Sequence, residues 1–148
     1  QVAENFDLYG KYTKLTKALL IGGVSFKDQE QAIMRGADVL IATPGRLLDH
    51  VERGGVLLRG VEVLVIDEAD RMLDMGFIPD IEKIVGMIPF TRQTLFFSAT
   101  MPPEITRLSE QFLSAPKRIE VARPSSTNDN VSGERPFYRG CERWARCL

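Results

Sequence analysis

Five short apolar runs punctuate the chain, each closed by glycine or polar residues. They are Lys17 to Ile21 (KALLI), Asp38 to Ala42 (DVLIA), Val61 to Ile66, Thr94 to Phe97 (TLFF) and Arg118 to Val121 (RIEV). Runs of this length read as strands, and the run Val63 to Ile66 has the unbroken apolar character of a strand buried on both faces. Between them the period changes to that of a helix. Val2, Phe6 and Tyr9 share one face, and so do Ile78, Ile81, Ile84, Val85 and Ile88. Ser25, with Asp28 three residues on, is expected to cap a helix running to Arg35, and Gly36 to end it as a C′ glycine. A helix from Arg46 to about Arg53 ends at Gly54-Gly55, and Pro102-Pro103 opens another. Strands alternating with helices, without hairpin signals, predict an α/β fold: a parallel sheet with helices on both faces, joined by right-handed crossovers.

A chain of 148 residues is one domain's worth and long enough to bury a sizeable core. Hydrophobic residues at 44% and charged residues at 26% are those of an ordinary globular protein, which sets aside a disordered or fibrous class. The net charge of −1 gives no global signal for nucleic acid, although a local basic groove remains compatible with it. No apolar run is long enough to span a membrane, and no secretory signal opens the chain. A cytoplasmic location and no membrane partner are therefore expected. Cys141 and Cys147 match no zinc spacing and read as stray thiols. His50, the only histidine, falls on an amphipathic stretch (LLDHVERG) and is expected at the surface.

The chemistry gathers where the third strand ends. Val63 to Ile66 runs into Asp67-Glu68-Ala69-Asp70, three carboxylates in four residues. In parallel α/β sheets, ligands bind beyond the carboxyl ends of strands. Two readings fit. The acids can cap a helix starting near Arg71, or they can serve a divalent cation carried on phosphate. After Ser125 the character changes. SSTNDN reads as a linker, and SGERPFYRGCERWARCL carries four arginines, aromatics and no steady period. That tail suits single-stranded nucleic acid by charge and stacking. A disordered end or a shifted reading frame is the preferred reading.

Four longer phrases occur in one order at domain-scale spacing: ALLIGG, TPGRLLDH, IDEADRMLDMGF and LFFSATMP. Together they resemble the first RecA-like domain of the DEAD-box RNA helicases, with wording most similar to the bacterial RhlE-type branch. The resemblance covers residues 1 to about 131. It implies a RecA-like P-loop NTPase fold and an ATP-dependent RNA helicase, with ATP and Mg²⁺ as cofactors. RNA and a second RecA-like domain are the implied partners. By the same resemblance, Asp67 holds Mg²⁺, through a water, and Glu68 orients and deprotonates the attacking water. Asp70, Ser98 and Thr100 link the nucleotide site to domain closure. Gly22, Gly23, Thr43, Pro44, Gly45 and Arg46 carry the RNA backbone.

Departures from the family pattern shape the expectation. The phosphate loop G-x-x-x-x-G-K-[ST] does not occur in the 148 residues, nor does the adenine-reading glutamine motif. The sequence accordingly reads as an internal piece of a helicase gene. Residues 1–131 are expected to form a partial ATP-binding domain, incomplete at its N-terminus, with residues 132–148 as an unassigned tail. Alone, the piece is expected to be inactive. A sequence-tolerant half-domain that holds a single RNA strand without turnover is the alternative.

Overall fold

The computed structural model describes residues 1–121, and the structural statements below concern those residues. The predicted tail, with both cysteines, lies outside them. The elements follow the order α1 (Val2–Tyr9), β1 (Lys17–Leu20), α2 (Phe26–Met34), β2 (Val39–Ala42), α3 (Pro44–Glu52), β3 (Val63–Ile66), α4 (Ala69–Asp74), α5 (Ile78–Met87), β4 (Gln93–Phe96) and α6 (Pro103–Phe112). A single 3₁₀ turn, Leu58–Gly60, precedes β3.

The fold is α/β, and all strand pairing among the described residues is parallel. β1 pairs with β2 in register Lys17 to Val39, and β3 pairs with β4 in register Val63 to Gln93. The two pairs form separate two-stranded sheets. Two βαβ units thus lie side by side, each opening its loops at the carboxyl ends of its strands. Apolar packing joins the units. Ala18, Leu20, Leu48, Val56 and Leu58 bury with Ile84 and Ile88, while Ile66, Ala69, Ile105, Leu108 and Phe112 bury with Ile81. Helix α5 therefore feeds both clusters from the one apolar face its sequence predicts. Leu64 of β3 packs against both as well. Complete burial of Leu20 and Ile105 contributes about 1.5–3 kcal/mol each.

Several expectations need correction. Arg118 to Val121 forms no strand. Ile119 and Val121 are 79% and 83% exposed, with no neighbouring strand to complete a ladder. β3 is covered on one face only. Leu64 and Ile66 point into the cores, but Val63 and Val65 are 51% and 54% exposed, because α5 and α6 pack on the opposite face alone. Ser25 occupies the N-cap of α2 without a side-chain capping bond. Lys27 and Asp28 are exposed, so water can satisfy free N–H groups of that first turn. Gly36 does end the helix in the left-handed region, at φ +87°.

Helix α3 starts two residues earlier than predicted. Thr43 is its N-cap and Pro44 its first residue, a position where proline's missing N–H costs nothing. His50 is fully buried rather than at the surface. It lies three residues after Leu47, on the same face, and α2 covers that face with Phe26 and Gln29.

Candidate functional site

Both pairs of strands end at loops that carry the singled-out residues. At the mouth of β3–β4 the acids turn out of the strand. Asp67 Oδ1 accepts the Glu68 backbone N–H at 2.8 Å, a local turn that fixes the carboxylate. Glu68 stands at φ +50°, ψ +46°, in the left-handed region. A non-glycine residue there costs about 1–3 kcal/mol and persists only where its surroundings impose it, most often at functional sites. Its carboxylate meets Arg71 Nη1 at 3.0 Å in an exposed pair of little energetic weight. Ala69 is buried, and its N–H donates to the Phe97 carbonyl at 3.1 Å, so the turn lies close against the end of β4.

Asp70 reaches across to that strand. Its Oδ2 accepts both the Thr100 hydroxyl and the Thr100 N–H at 2.8 Å. The Asp70 N–H donates to Ser98 Oγ at 3.2 Å, and Ser98 Oγ donates to the Thr100 carbonyl at 2.7 Å. Three residues from two loops thus form one closed network. Burial pushes the Asp70 carboxyl up. Hydrogen bonds from the Thr100 hydroxyl and from the Arg71 and Thr100 N–H groups outweigh it and hold the group below its ordinary value. Glu68 at the N-cap of α4 makes no side-chain capping bond, whereas Asp70 Oδ1 accepts the first-turn N–H of Arg71 at 3.1 Å.

No cluster of three or more His, Cys, Asp or Glu side chains able to hold a metal occurs among the described residues. Asp67 and Glu68 therefore build no protein-only cage. One carboxylate at a strand end does suit Mg²⁺ that keeps several waters and takes its other ligands from phosphate.

The mouth of β1–β2 has a different character. Thr43 N–H donates to the Leu20 carbonyl at 3.0 Å, which aligns the start of α3 with the end of β1. Gly22 and Gly23 follow β1, and Gly45 lies in the first turn of α3. A Cβ added at any of the three meets nothing within 4 Å. Only Gly23, at φ +76°, needs glycine for its backbone. At Gly22 and Gly45 nothing in the chain's own packing calls for a missing side chain. Open space over bare backbone, beside the free N–H groups of a helix start, is the geometry that admits an anion. Arg46 stands on the same turn, 5.6 Å from the Phe26 ring, with no carboxylate partner among the described residues.

Under this mouth lie two residues that sequence reasoning misjudged. Gln29 went unnoticed and His50 was placed at the surface. Gln29 Nε2 donates to the Ile21 carbonyl at 2.8 Å, and its Oε1 lies 2.9 Å from His50 Nε2. Their signal was present in the sequence. Gln29 recurs at apolar spacing with Phe26 and Ile33, and His50 with Leu47.

Comparison with known proteins matches the phrases that open these mouths. The profile of the DEAD/DEAH box helicase family matches residues 1–108. The DEAD-box ATP-dependent RNA helicase CshA of Streptococcus pneumoniae is 41% identical over 131 residues, which is 88% of this chain and 25% of that protein. The ATP-dependent RNA helicase DeaD of Mycobacterium tuberculosis is 44% identical over 133 residues, 89% of this chain and 24% of that protein. A solved structure of a hypothetical ATP-dependent RNA helicase from Sulfolobus tokodaii superposes with a TM-score of 0.73 at 39% identity, over 78% of this chain and 34% of that one. The chain spans about a quarter of the length of the curated relatives it matches.

Proposed function

The chain belongs to the DEAD/DEAH box helicase family, and from that premise we propose that it supplies part of the first RecA-like domain of an ATP-dependent RNA helicase. Residues 1–131 are the domain portion in this reading. The observation that carries it is the closed network between Asp70 and the Ser98–Thr100 loop, with the half-buried Asp67 and the exposed Glu68 beside it. Asp67 would hold Mg²⁺ through a water, and Mg²⁺ would supply charge neutralisation on the ATP phosphates. Glu68 orients and deprotonates the attacking water. Asp70, Ser98 and Thr100 tie the acid loop to the end of β4, so a shift at one moves the other. That is the coupling a helicase needs between nucleotide and domain closure.

Gly22, Gly23, Thr43, Pro44, Gly45 and Arg46 receive the RNA backbone in the same reading. The bare glycines let phosphate approach, and Arg46 adds a cation with a forked donor geometry. Contacts of this kind position a strand without reading its bases. A second RecA-like domain completes the enzyme, and the cytoplasm is its compartment. No helix among the described residues is long and apolar enough to cross a membrane.

The test is a chimaera in which residues 1–131 replace the matching stretch of the S. pneumoniae CshA. RNA-stimulated ATP hydrolysis and duplex unwinding are expected. A chimaera that folds yet neither hydrolyses ATP nor unwinds RNA overturns the reading.

A further inference from the structure

Gln29 and His50 are the only polar residues buried among the described residues, at 2% and 0% exposure. Together they span the two loops of the β1–β2 mouth. The Gln29 amide donates its N–H to the carbonyl of Ile21, the residue that leads into Gly22-Gly23. Its oxygen is then the atom that faces His50, so the imidazole carries its proton on Nε2 and donates it to Gln29. Nδ1 is left as an acceptor, buried and with no partner. Phe26 stacks on the imidazole at 4.0 Å between ring centroids, and Arg53 covers Phe26 at 4.1 Å. His50 belongs to α3, the helix whose first turn holds Gly45 and Arg46.

An apolar pair of the same shape would fill this space at less cost, because a buried polar atom without a partner destabilises. What the polar pair adds is direction. Two hydrogen bonds in series fix where the Ile21 carbonyl stands relative to the axis of α3. We propose that Gln29 and His50 are positioning residues, which hold the Gly22-Gly23 loop and the first turn of α3 in one fixed relation so that both receive the same RNA backbone. The proposal rests on the RNA-binding role given to those loops above. It adds the device that makes two loops act as one site.

The 148-residue chain and its Gln29→Leu, His50→Leu and His50→Gln forms test it, with a short fluorescein-labelled oligouridine as the probe. Hydrogen exchange at Gly22 and Gly23 is read in parallel, without RNA. Gln at position 50 can still present a donor to Gln29, so His50→Gln is expected to stay within about twofold of the unsubstituted Kd. Each Leu form is expected to raise Kd by about five- to tenfold and to speed amide exchange in the loop. Combining Gln29→Leu with His50→Leu is expected to be no worse than Gln29→Leu alone, because the two bonds act in series and loss of Gln29 already breaks both. The apolar pair also keeps that double form folded, with Tm near the unsubstituted value. Leu forms that bind RNA like the unsubstituted chain, whatever their exchange rates, overturn the proposal. So does a His50→Gln form as weak as His50→Leu. Failure of the unsubstituted chain to bind oligouridine removes the RNA role and this proposal with it, whereas binding indifferent to Gln29→Leu removes this proposal alone.

Discussion

The mouths of the two strand pairs differ in the materials that order them. At β3–β4 the ordering elements are side chains above the strand ends. Asp70, Ser98 and Thr100 satisfy one another across two loops, in view of solvent, and Asp67 and Glu68 project beside them. At β1–β2 the upper surface is bare backbone, and the ordering pair, Gln29 and His50, lies beneath it. In the proposed reading, the difference follows from what each mouth would handle. Proton transfer and a metal-borne phosphate require titratable groups at fixed places. A nucleic-acid backbone requires N–H groups, room and a cation. In that reading, side chains at the second mouth would occupy the space a phosphate needs, which is consistent with order supplied from below by Gln29 and His50.

Exchanging one side chain at each mouth should separate them, and the largest effect is expected at the acids. In the chimaera, Glu68→Gln is expected to lower ATP turnover by about 10²–10⁴-fold, since the amide can hydrogen-bond the water but cannot take its proton. RNA affinity is expected to stay within about twofold of the parent, because the other mouth is untouched. Phosphate release and oligouridine binding measured on one preparation check both, and loss of both together would merge the two mouths into one. The 148-residue chain by itself is expected to show no turnover above its own Glu68→Gln form. Phosphoryl transfer depends on positioning, and these residues contain no G-x-x-x-x-G-K-[ST] cradle.

The reverse exchange is smaller. Arg46→Ala in the chimaera is expected to weaken oligonucleotide binding by about five- to tenfold, equally for different base sequences, and to reduce the magnitude of the salt slope by about one. Titrations at several salt concentrations read it. Base-dependent losses would mean that Arg46 contacts bases instead of phosphate. Smaller again is Asp70→Asn, which exchanges an anionic acceptor for a neutral one in a half-exposed network. A loss of about 1 kcal/mol is expected in thermal or urea unfolding, at constant m-value. No loss would mean that the Asp70–Thr100 bonds contribute nothing to holding the loops together.

The two mouths were not equally legible in the sequence. Side-chain chemistry announces itself in part: Asp67, Glu68 and Asp70 stand out after an apolar strand, whereas Ser98 and Thr100 are reached through the family phrases, and Asp70 bonds to both. The glycines of the other mouth were found only through the family phrases, because a bare backbone leaves no residue type specific to phosphate. Its underpinning was lost to averaging. A histidine and a glutamine on amphipathic helices read as surface residues unless their exact angular position is followed. Strand identity was legible for four of the five runs, because apolar runs with turn residues at each end are local signals. Arg118 to Val121 misled because a strand exists only where a partner offers its ladder, and no local pattern reports a partner. The open face of β3 was missed for the same reason. Val63 and Val65 say what the strand can bury, not what is there to cover it.

Acid distinguishes the mouths with the smallest effect and the cleanest sign. Burial, followed by the Arg46 and Arg53 guanidinium charges, holds the His50 imidazole below its ordinary value against the opposing pull of Glu30 and Asp49. A histidine in the unfolded chain takes up its proton near pH 6.5, while the folded one resists to lower pH. The unfolded state then binds more protons, so stability falls as pH falls through that range. Asp70 acts later. Its folded value lies below the ordinary carboxylate value of about 3.9, so its contribution is complete above that pH and is lost as pH falls through the lower, folded value. Asp38 joins this second phase. The Thr16 N–H and hydroxyl hold its carboxylate at 2.7 and 2.8 Å and depress it likewise. Unfolding midpoints measured at steps from pH 8 to pH 3 are expected to show two declines. His50→Gln should remove the first and spare the second, while Asp70→Asn should shallow the second without abolishing it, since Asp38 remains. A first decline that survives His50→Gln would place its proton elsewhere. His50 would then give no acid sensitivity to the β1–β2 mouth, and the contrast in pH response between the two mouths would disappear.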